Sequence, residues 1–357
     1  MAGVDGGIMF PADKLRGWTQ EVFQKIGVSR DDATLLTDSL IEANLRGVDT
    51  HGITRMLCVY VERIRKGVMS AKSKLVVVRE KASTALIDCN NSIGQVGAAR
   101  AMRMAIEKAG QTGVAFTAVT HSNHYGMAAY WAMAALTHGM IGFSSTNAPA
   151  AVAPTGGCTA MFGTNPFAIA IPAGRELPVV LDLATTVVAR GRIVLHAKQD
   201  KPLAPGWAFD HRGIPTTDPH TAMKGLLAPI GGYKGYGIAL AVDFLCGVVL
   251  TGSNYGTHFP GFLADNMIDP TDVGSVFAAV NVESFMDLPE FTATIDKALQ
   301  EIKGSTRAEG VKRIYVPGEI EFDMKAERLA KGIPIPEQVV KDFIALGREL
   351  AIPFPET

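Results

Sequence analysis

An α/β fold is predicted for this chain, and three observations predict it. Apolar, strand-like runs alternate with helix-spaced patterns through the middle of the sequence. Helical periodicity dominates both ends. A chain of 357 residues, 47% hydrophobic and 19% charged, can bury a large core, as one large domain or two or three lobes.

Leu15, Trp18, Val22, Phe23 and Ile26 recur at helical spacing, and Gly27 closes the run. Ser29, three residues before Asp32, is close to a capping box for a second helix over about 30–46. Residues 83–113 read as strand, loop and helix, and 114–124 as a buried strand ending in polar residues. Residues 126–139 read as a helix and 140–149 as a strand running into a loop. "NPFAIAIP" and "PVVLDLATT" are two further apolar strands. Their polar ends lie where α/β sheets hold ligands. The Pro-, Gly- and Asp-rich stretch 196–230 predicts a long excursion suited to a lid, and 253–275 a second. "GIALAVDFLCGVVLTG" (237–252) is too short to span a bilayer and carries Asp243, which predicts a buried helix. Helical patterns return near 288–303, 323–331 and 336–350, and no internal repeat is present.

The formal net charge of −1 argues against a protein built to hold nucleic acid or an anionic membrane. Cys58, Cys89, Cys158 and Cys246 are scattered singly, as expected for buried thiols in a reducing compartment. "MAGVDGGIMFPADKLRG" has no basic region followed by an apolar run, so no signal peptide is expected and the cytoplasm is the default location.

Four stretches offer chemistry. In "GVDTHGITR" (47–55), a helix beginning at Thr50 would place His51 and Arg55 at i and i+4 on one face. Arg presents a planar fork suited to a carboxylate, and His can exchange a proton near neutrality. The plainer reading is a helix cap with surface His and Arg. In "PIGGYKGYG" (229–237), a Gly-rich turn carrying Lys234 feeds a helix N-terminus, a pattern that suits phosphate or a tight packed turn equally. "THSNHYG" (120–126) spaces His121 and His124 as HxxH, yet no Asp, Glu or Cys beside them completes a metal site. In "LDLATT" (181–186), Asp182 at a strand end suits a ribose hydroxyl or a helix cap. "EIEFDMKAERLAKG" (319–332) reads as a solvated helix face, and the methionines near 102–104 as core.

"RGVDTHGITR", "GTNPFAIAIP", "LDLATT", "PGWAFDHRGIPTTDP", "GGYKGYGIALAVDFLCGVVLTG" and "YVPGEIE…GIPIP", in this order over roughly 10–350, resemble the malate/L-lactate dehydrogenase family that lacks a Rossmann fold. The resemblance implies a mixed-sheet, non-Rossmann dinucleotide-binding lobe over 116–285. It also implies a helical lobe for substrate and dimerisation, from 1–115 plus 286–357. It implies a homodimer that interconverts 2-hydroxy and 2-oxo acids with NAD or NADP, a cyclic-imine carboxylate being the alternative substrate. His51 then matches the proton donor, with Thr50 in place of the family's serine and beside the substrate. Arg55 matches the substrate-carboxylate arginine, and His124 a histidine proposed as proton acceptor in some members. Asn147, Asp182, Leu183, Ala184, Lys234, Gly235, Pro317, Gly318 and Glu319 match cofactor-contacting positions, and no metal is implied. Ala148 departs from the family's serine; Ser145 and Asn147 are expected to compensate. No isolated Arg cluster after 182 marks a 2′-phosphate site, with Arg190 and Arg192 the candidates, so NAD is preferred. A metal-dependent lyase or hydrolase using His121 and His124 is the competing class.

Overall fold

Seven strands form one mixed sheet, in the spatial order Val76–Glu80, Thr84–Asp88, Val114–Ser122, Val273–Asn281, Met140–Thr146, Phe167–Ile171, Val179–Leu183. The computed structural model describes residues 7–261 and 265–357. The start of the N-terminal stretch and residues 262–264 of the second predicted excursion lie outside the described residues. One pair of neighbours, Thr84–Asp88 with Val114–Ser122, is parallel, joined by the helix Gly94–Thr112; the other neighbours run antiparallel. A Rossmann sheet is mostly parallel, so this sheet is of another kind.

The strand Val273–Asn281 was not expected from the sequence, yet it lies between Val114–Ser122 and Met140–Thr146 and is mostly buried. It closes the second predicted excursion and carries the chain back into the core. The helix Gly94–Thr112 packs on the sheet through Ala98, Ala101, Ala105 and Ala109. Such small side chains permit a close approach, and a Cβ on Gly97 would stand 2.5 Å from Cys89 Sγ. Met102 and Met104 are core, as expected.

Helices from the early and late parts of the chain pack together. The helices Ala12–Lys25, Arg30–Leu45, Ile53–Arg65 and Glu337–Leu350 bury Leu15, Trp18, Phe23, Leu36, Leu57 and Phe343 in one cluster. Ser29 caps the second helix by accepting from Asp32 N–H at 3.2 Å. Strands Ile8–Phe10 and Ile333–Ile335 pair antiparallel and tie the termini together.

The stretch 196–230 is more structured than its composition suggested. The helix Arg190–Lys198, the short helix Pro219–Met223 capped by Asp218, and a three-stranded sheet fold it on its own small core. Two further expectations are corrected. The apolar run 237–252 is a helix, Tyr233–Asp243, continued by a π-helical turn, Phe244–Val249, and it is buried on one side only. Asp243 and Cys246 face inward, whereas Phe244, Val248 and Val249 are exposed. The helix Glu319–Lys331 is not simply solvated: Glu319 and Arg328 are buried, because each answers charges across a packed interface. Among the described residues no helix is long and apolar enough to cross a membrane.

Candidate active site

The turn bearing His51 is held by buried hydrogen bonds. Asn44, at the end of the helix Arg30–Leu45, accepts from Ile53 N–H through Oδ1 at 2.7 Å. Its Nδ2 donates to Asp49 Oδ1 at 2.6 Å and to Thr54 Oγ1 at 2.7 Å. Arg328 forks onto both Asp49 oxygens, at 2.7 and 3.0 Å, and also donates to Asn44 O. Gly52 lies so close over Asn44 that a Cβ there would stand 2.1 Å from Oδ1. These bonds interrupt the predicted helix. His51 ends a 3₁₀ turn, Asp49–His51, and Arg55 belongs to the helix that starts at Ile53. The two side chains line one cavity without the i, i+4 relation expected of them.

His124 follows the strand Val114–Ser122 and stacks on His51, with ring centroids 5.4 Å apart and planes 22° from parallel. Thr50 Oγ1 is 2.9 Å from His51 Nδ1. Burial, and then the Arg55 charge, hold His51 down to about 4. Burial, His51, Arg55 and Arg63 together hold His124 well below the ordinary histidine value. Both rings are therefore neutral at pH 7, in a cavity of about 150 Å³ that Arg55 and Arg190 also line.

Thr50 and His51 also line a second, larger groove of about 550 Å³. Its walls include Asp182, Leu183 and Ala184 from one strand end, and Tyr315, Pro317 and Gly318 opposite. Burial pushes Asp182 up to about 6, although Ala129 N–H donates to it at 2.9 Å. Glu321, also on the groove, raises it further. This donor set fits a dinucleotide: carboxylates accept ribose hydroxyls and apolar walls receive the rings. Gly318, at φ +96°, lets the late turn approach Val180, whose Cβ would lie 2.9 Å from a side chain there.

Of the residues singled out in the sequence, His51, Thr50, Arg55 and His124 meet at the cavity, and Asp182, Leu183, Ala184, Pro317 and Gly318 at the groove. Asn147 lines the cavity instead of the groove, its Nδ2 donating to Asn254 O at 2.8 Å. Glu319 does not line the groove: it is buried under Lys303 and Arg313 and accepts from Val316 N–H, which fixes the turn. Lys234 and Gly235 do not reach the groove of their own chain; Lys234 is exposed at a helix N-terminus and Gly235 packs on Ile230. Ser145 donates to Pro166 O at 2.8 Å and does not line the cavity, so it cannot stand in for a hydroxyl at Ala148. Ala148 N–H is held instead by Asn165 Oδ1 at 3.0 Å. Arg192 lies over Trp207 and away from the groove.

Residues that sequence reasoning missed complete the site. Asn165 also donates to Asp243 Oδ1 at 3.3 Å, and burial pushes that carboxyl up to about 6. Tyr60, Gln95 and Arg328 sit at helix positions whose spacing reads only as core or surface. The hydrolase alternative fails on geometry: His121 is exposed and pairs with Asp88 at 3.2 Å, while His124 turns to Tyr60. Among the described residues no three His, Cys, Asp or Glu side chains converge as a metal site.

A two-histidine cavity lined by Arg55 and Arg190, beside a groove of dinucleotide size in a non-Rossmann sheet, suits an oxidoreductase of small carboxylates. The malate/L-lactate dehydrogenase family model matches residues 10–343, and the chain belongs to that family. It is 36% identical to a malate dehydrogenase of Pyrococcus abyssi over 97% of this chain and 96% of that one. The sulfolactate dehydrogenase of Methanocaldococcus jannaschii superposes with a TM-score of 0.91 at 36% identity, covering 97% of this chain and 98% of that one. The malate dehydrogenase of Entamoeba histolytica gives 0.92 at 32% identity, covering 98% of this chain and 100% of that one. The protein is thus an enzyme that interconverts 2-hydroxy and 2-oxo acids, and dehydrogenases of this family use nicotinamide cofactors.

Proposed function

We propose that this chain is an NAD-dependent, cytoplasmic, homodimeric dehydrogenase of a 2-hydroxy acid carrying a second acidic group, with His51 as its acid–base residue. The observation that carries the reading is the position of His51 on both the cavity and the groove. Asp182 and Pro317 would hold a nicotinamide cofactor, which would supply the hydride. Arg55 grips the carboxylate beside the reacting carbon with a two-donor fork. Arg190, on the cavity wall, answers an anion at the far end of the substrate. His51 exchanges a proton with the substrate oxygen. Asp182 and Glu321 favour NAD, because they accept a 2′-hydroxyl and repel a 2′-phosphate.

The test follows nicotinamide absorbance with NADH or NADPH against a panel of 2-oxo acids and one cyclic imine. NADH with a four-carbon diacid is expected to be the fastest pair. Arg55→Lys should raise KM about tenfold or more, since one charged hydrogen bond is lost. An unchanged KM and kcat would remove Arg55 from substrate binding.

The neutral His51 also fixes the pH dependence. Reduction needs the protonated ring, whose share in the free enzyme falls as pH rises above about 4. Oxidation needs the neutral ring, already present at pH 7. Between pH 5 and 8, kcat/KM for reduction should therefore fall while that for oxidation stays flat. Profiles in both directions check this; a flat reduction profile would contradict it.

The exposed apolar face of Phe244, Val248 and Val249 supports the homodimer, for which it would be the covered surface. Light scattering should give twice the 37.9 kDa chain mass, and Val249→Arg should lower it toward one chain.

A further inference from the structure

We propose that Thr271 is a specificity residue of the substrate cavity: Arg63 turns its hydroxyl into a fixed hydrogen-bond donor for an oxygen at the far end of a 2-oxo diacid. The inference rests on the dehydrogenase reading above.

Position and hydrogen-bond direction carry it. Thr271 lies on the cavity wall, two residues before the strand Val273–Asn281, and is only 2% exposed. Arg63 Nη2 donates to Thr271 Oγ1 at 2.7 Å. A guanidinium has no acceptor, so the hydroxyl cannot return its own proton to Arg63. Among the described residues no other group accepts that proton. A buried donor left without an acceptor is costly, and the cavity is the side on which this one can find a partner. An oxygen of the substrate completes it.

The hydroxyl is held rigidly. Arg63 is fully buried on the helix Ile53–Arg65 and donates also to Asn266 O. Asn266 Oδ1 braces the segment that leads to Thr271, accepting from Ile268 N–H at 3.2 Å and Asp269 N–H at 3.0 Å. From the other side, Asn254 Nδ2 donates to Thr271 O at 3.1 Å. Asn254 O in turn accepts from Asn147, another residue of the cavity wall. Thr271 is thus pinned through both side chain and backbone, and binding has little left to order.

The surroundings fix what the hydroxyl reads. Met56, Val59 and Val273 line the same cavity and offer a carbon chain apolar contact only. Arg55 and Arg190 supply the charges. A neutral donor among apolar side chains tells an oxygen from a methyl group. A carboxylate takes several donors, so Thr271 adds to Arg190 and does not compete with it. A monoacid of the same length leaves the hydroxyl unpaired, and a site built to hydrogen-bond a substrate rejects the analogue that lacks the partner. Arg63 acts through the oxygens it holds, which makes it a positioning residue.

The test compares oxaloacetate with 2-oxobutanoate, four-carbon acids that differ in the far carboxylate, with NADH and the full-length protein. The readout is the preference, the ratio of the two kcat/KM values. Thr271→Val should lower it about tenfold or more, the worth of a hydrogen bond to a charged group. That variant also unpairs Arg63 Nη2, but this loss falls on both acids alike and leaves the ratio untouched. Thr271→Ser, which keeps the hydroxyl, should hold the preference within about threefold of wild type. Arg63→Lys should lower the preference too, and should add little to Thr271→Val in the double variant. An unchanged ratio in Thr271→Val would overturn the assignment, and full additivity would remove Arg63 from it. If no acid oxidises NADH, the dehydrogenase reading falls and calorimetry with succinate decides Thr271 separately. The wild type should then bind succinate about tenfold more tightly than Thr271→Val; equal or absent binding would overturn the proposal.

Discussion

His51→Ala should lower the rate of 2-oxo acid reduction by about 10²–10⁴-fold, the usual worth of a positioned proton transfer. Cofactor affinity should change little, because the groove keeps Asp182, Glu321 and Gly318. The loss should fall on kcat, since Arg55 on the same cavity is unchanged. Stopped-flow reduction under saturating NADH, with cofactor binding followed by fluorescence in parallel, separates the two effects. Near-normal turnover with intact binding would remove His51 from the chemistry and pass the acid–base role to its stacked neighbour.

Gly52→Ala should strain the His51 turn directly. Its Cβ would stand 2.1 Å from Asn44 Oδ1, and Asn44 cannot retreat without releasing Ile53 N–H, Asp49 and Thr54. Overpacking costs about 1–3 kcal/mol, and each buried polar group left unpaired about 1–3 kcal/mol more. A total of roughly 3–5 kcal/mol lowers Tm by roughly 4–7 °C for a chain of this size. Activity should fall with it, because Thr50 and His51 ride on the displaced turn. Calorimetry checks the first claim and kcat the second. Combining Gly52→Ala with Asn44→Ala should cost less than the sum, since both act on one contact; full additivity would show that the strain lies elsewhere.

Much of this was readable from the chain, and the failures have physical causes. The strands and helices between 83 and 183 carry strong periodicity and appear close to where it puts them. The strand Val273–Asn281 escaped because it follows a turn-rich stretch, and its neighbours in the sheet come from far earlier in the chain. The exposure of the apolar run near Val249 was hidden because hydrophobicity marks what is covered, not by what. The residues singled out for distinctive chemistry, His51, Arg55 and Asp182, do line the cavity or the groove. Those acting through others were not: a Tyr at a core helix position and an Arg in a charged helix give no local sign of the partner they meet across the fold. Glu319, a site-like motif residue, lies off the groove, where its carboxylate accepts from Val316 N–H and pairs with Lys303 and Arg313.

The fork of Arg328 on Asp49 also has a bearing on how this enzyme comes to life. The turn bearing His51 is held by a guanidinium that arrives 279 residues after Asp49. During synthesis the His51 turn leaves the ribosome long before its clamp exists, and contacts of such separation close slowly. A chain stopped short of Arg328 would leave Asp49 and Asn44 O without that partner, and the His51 turn with one clamp fewer.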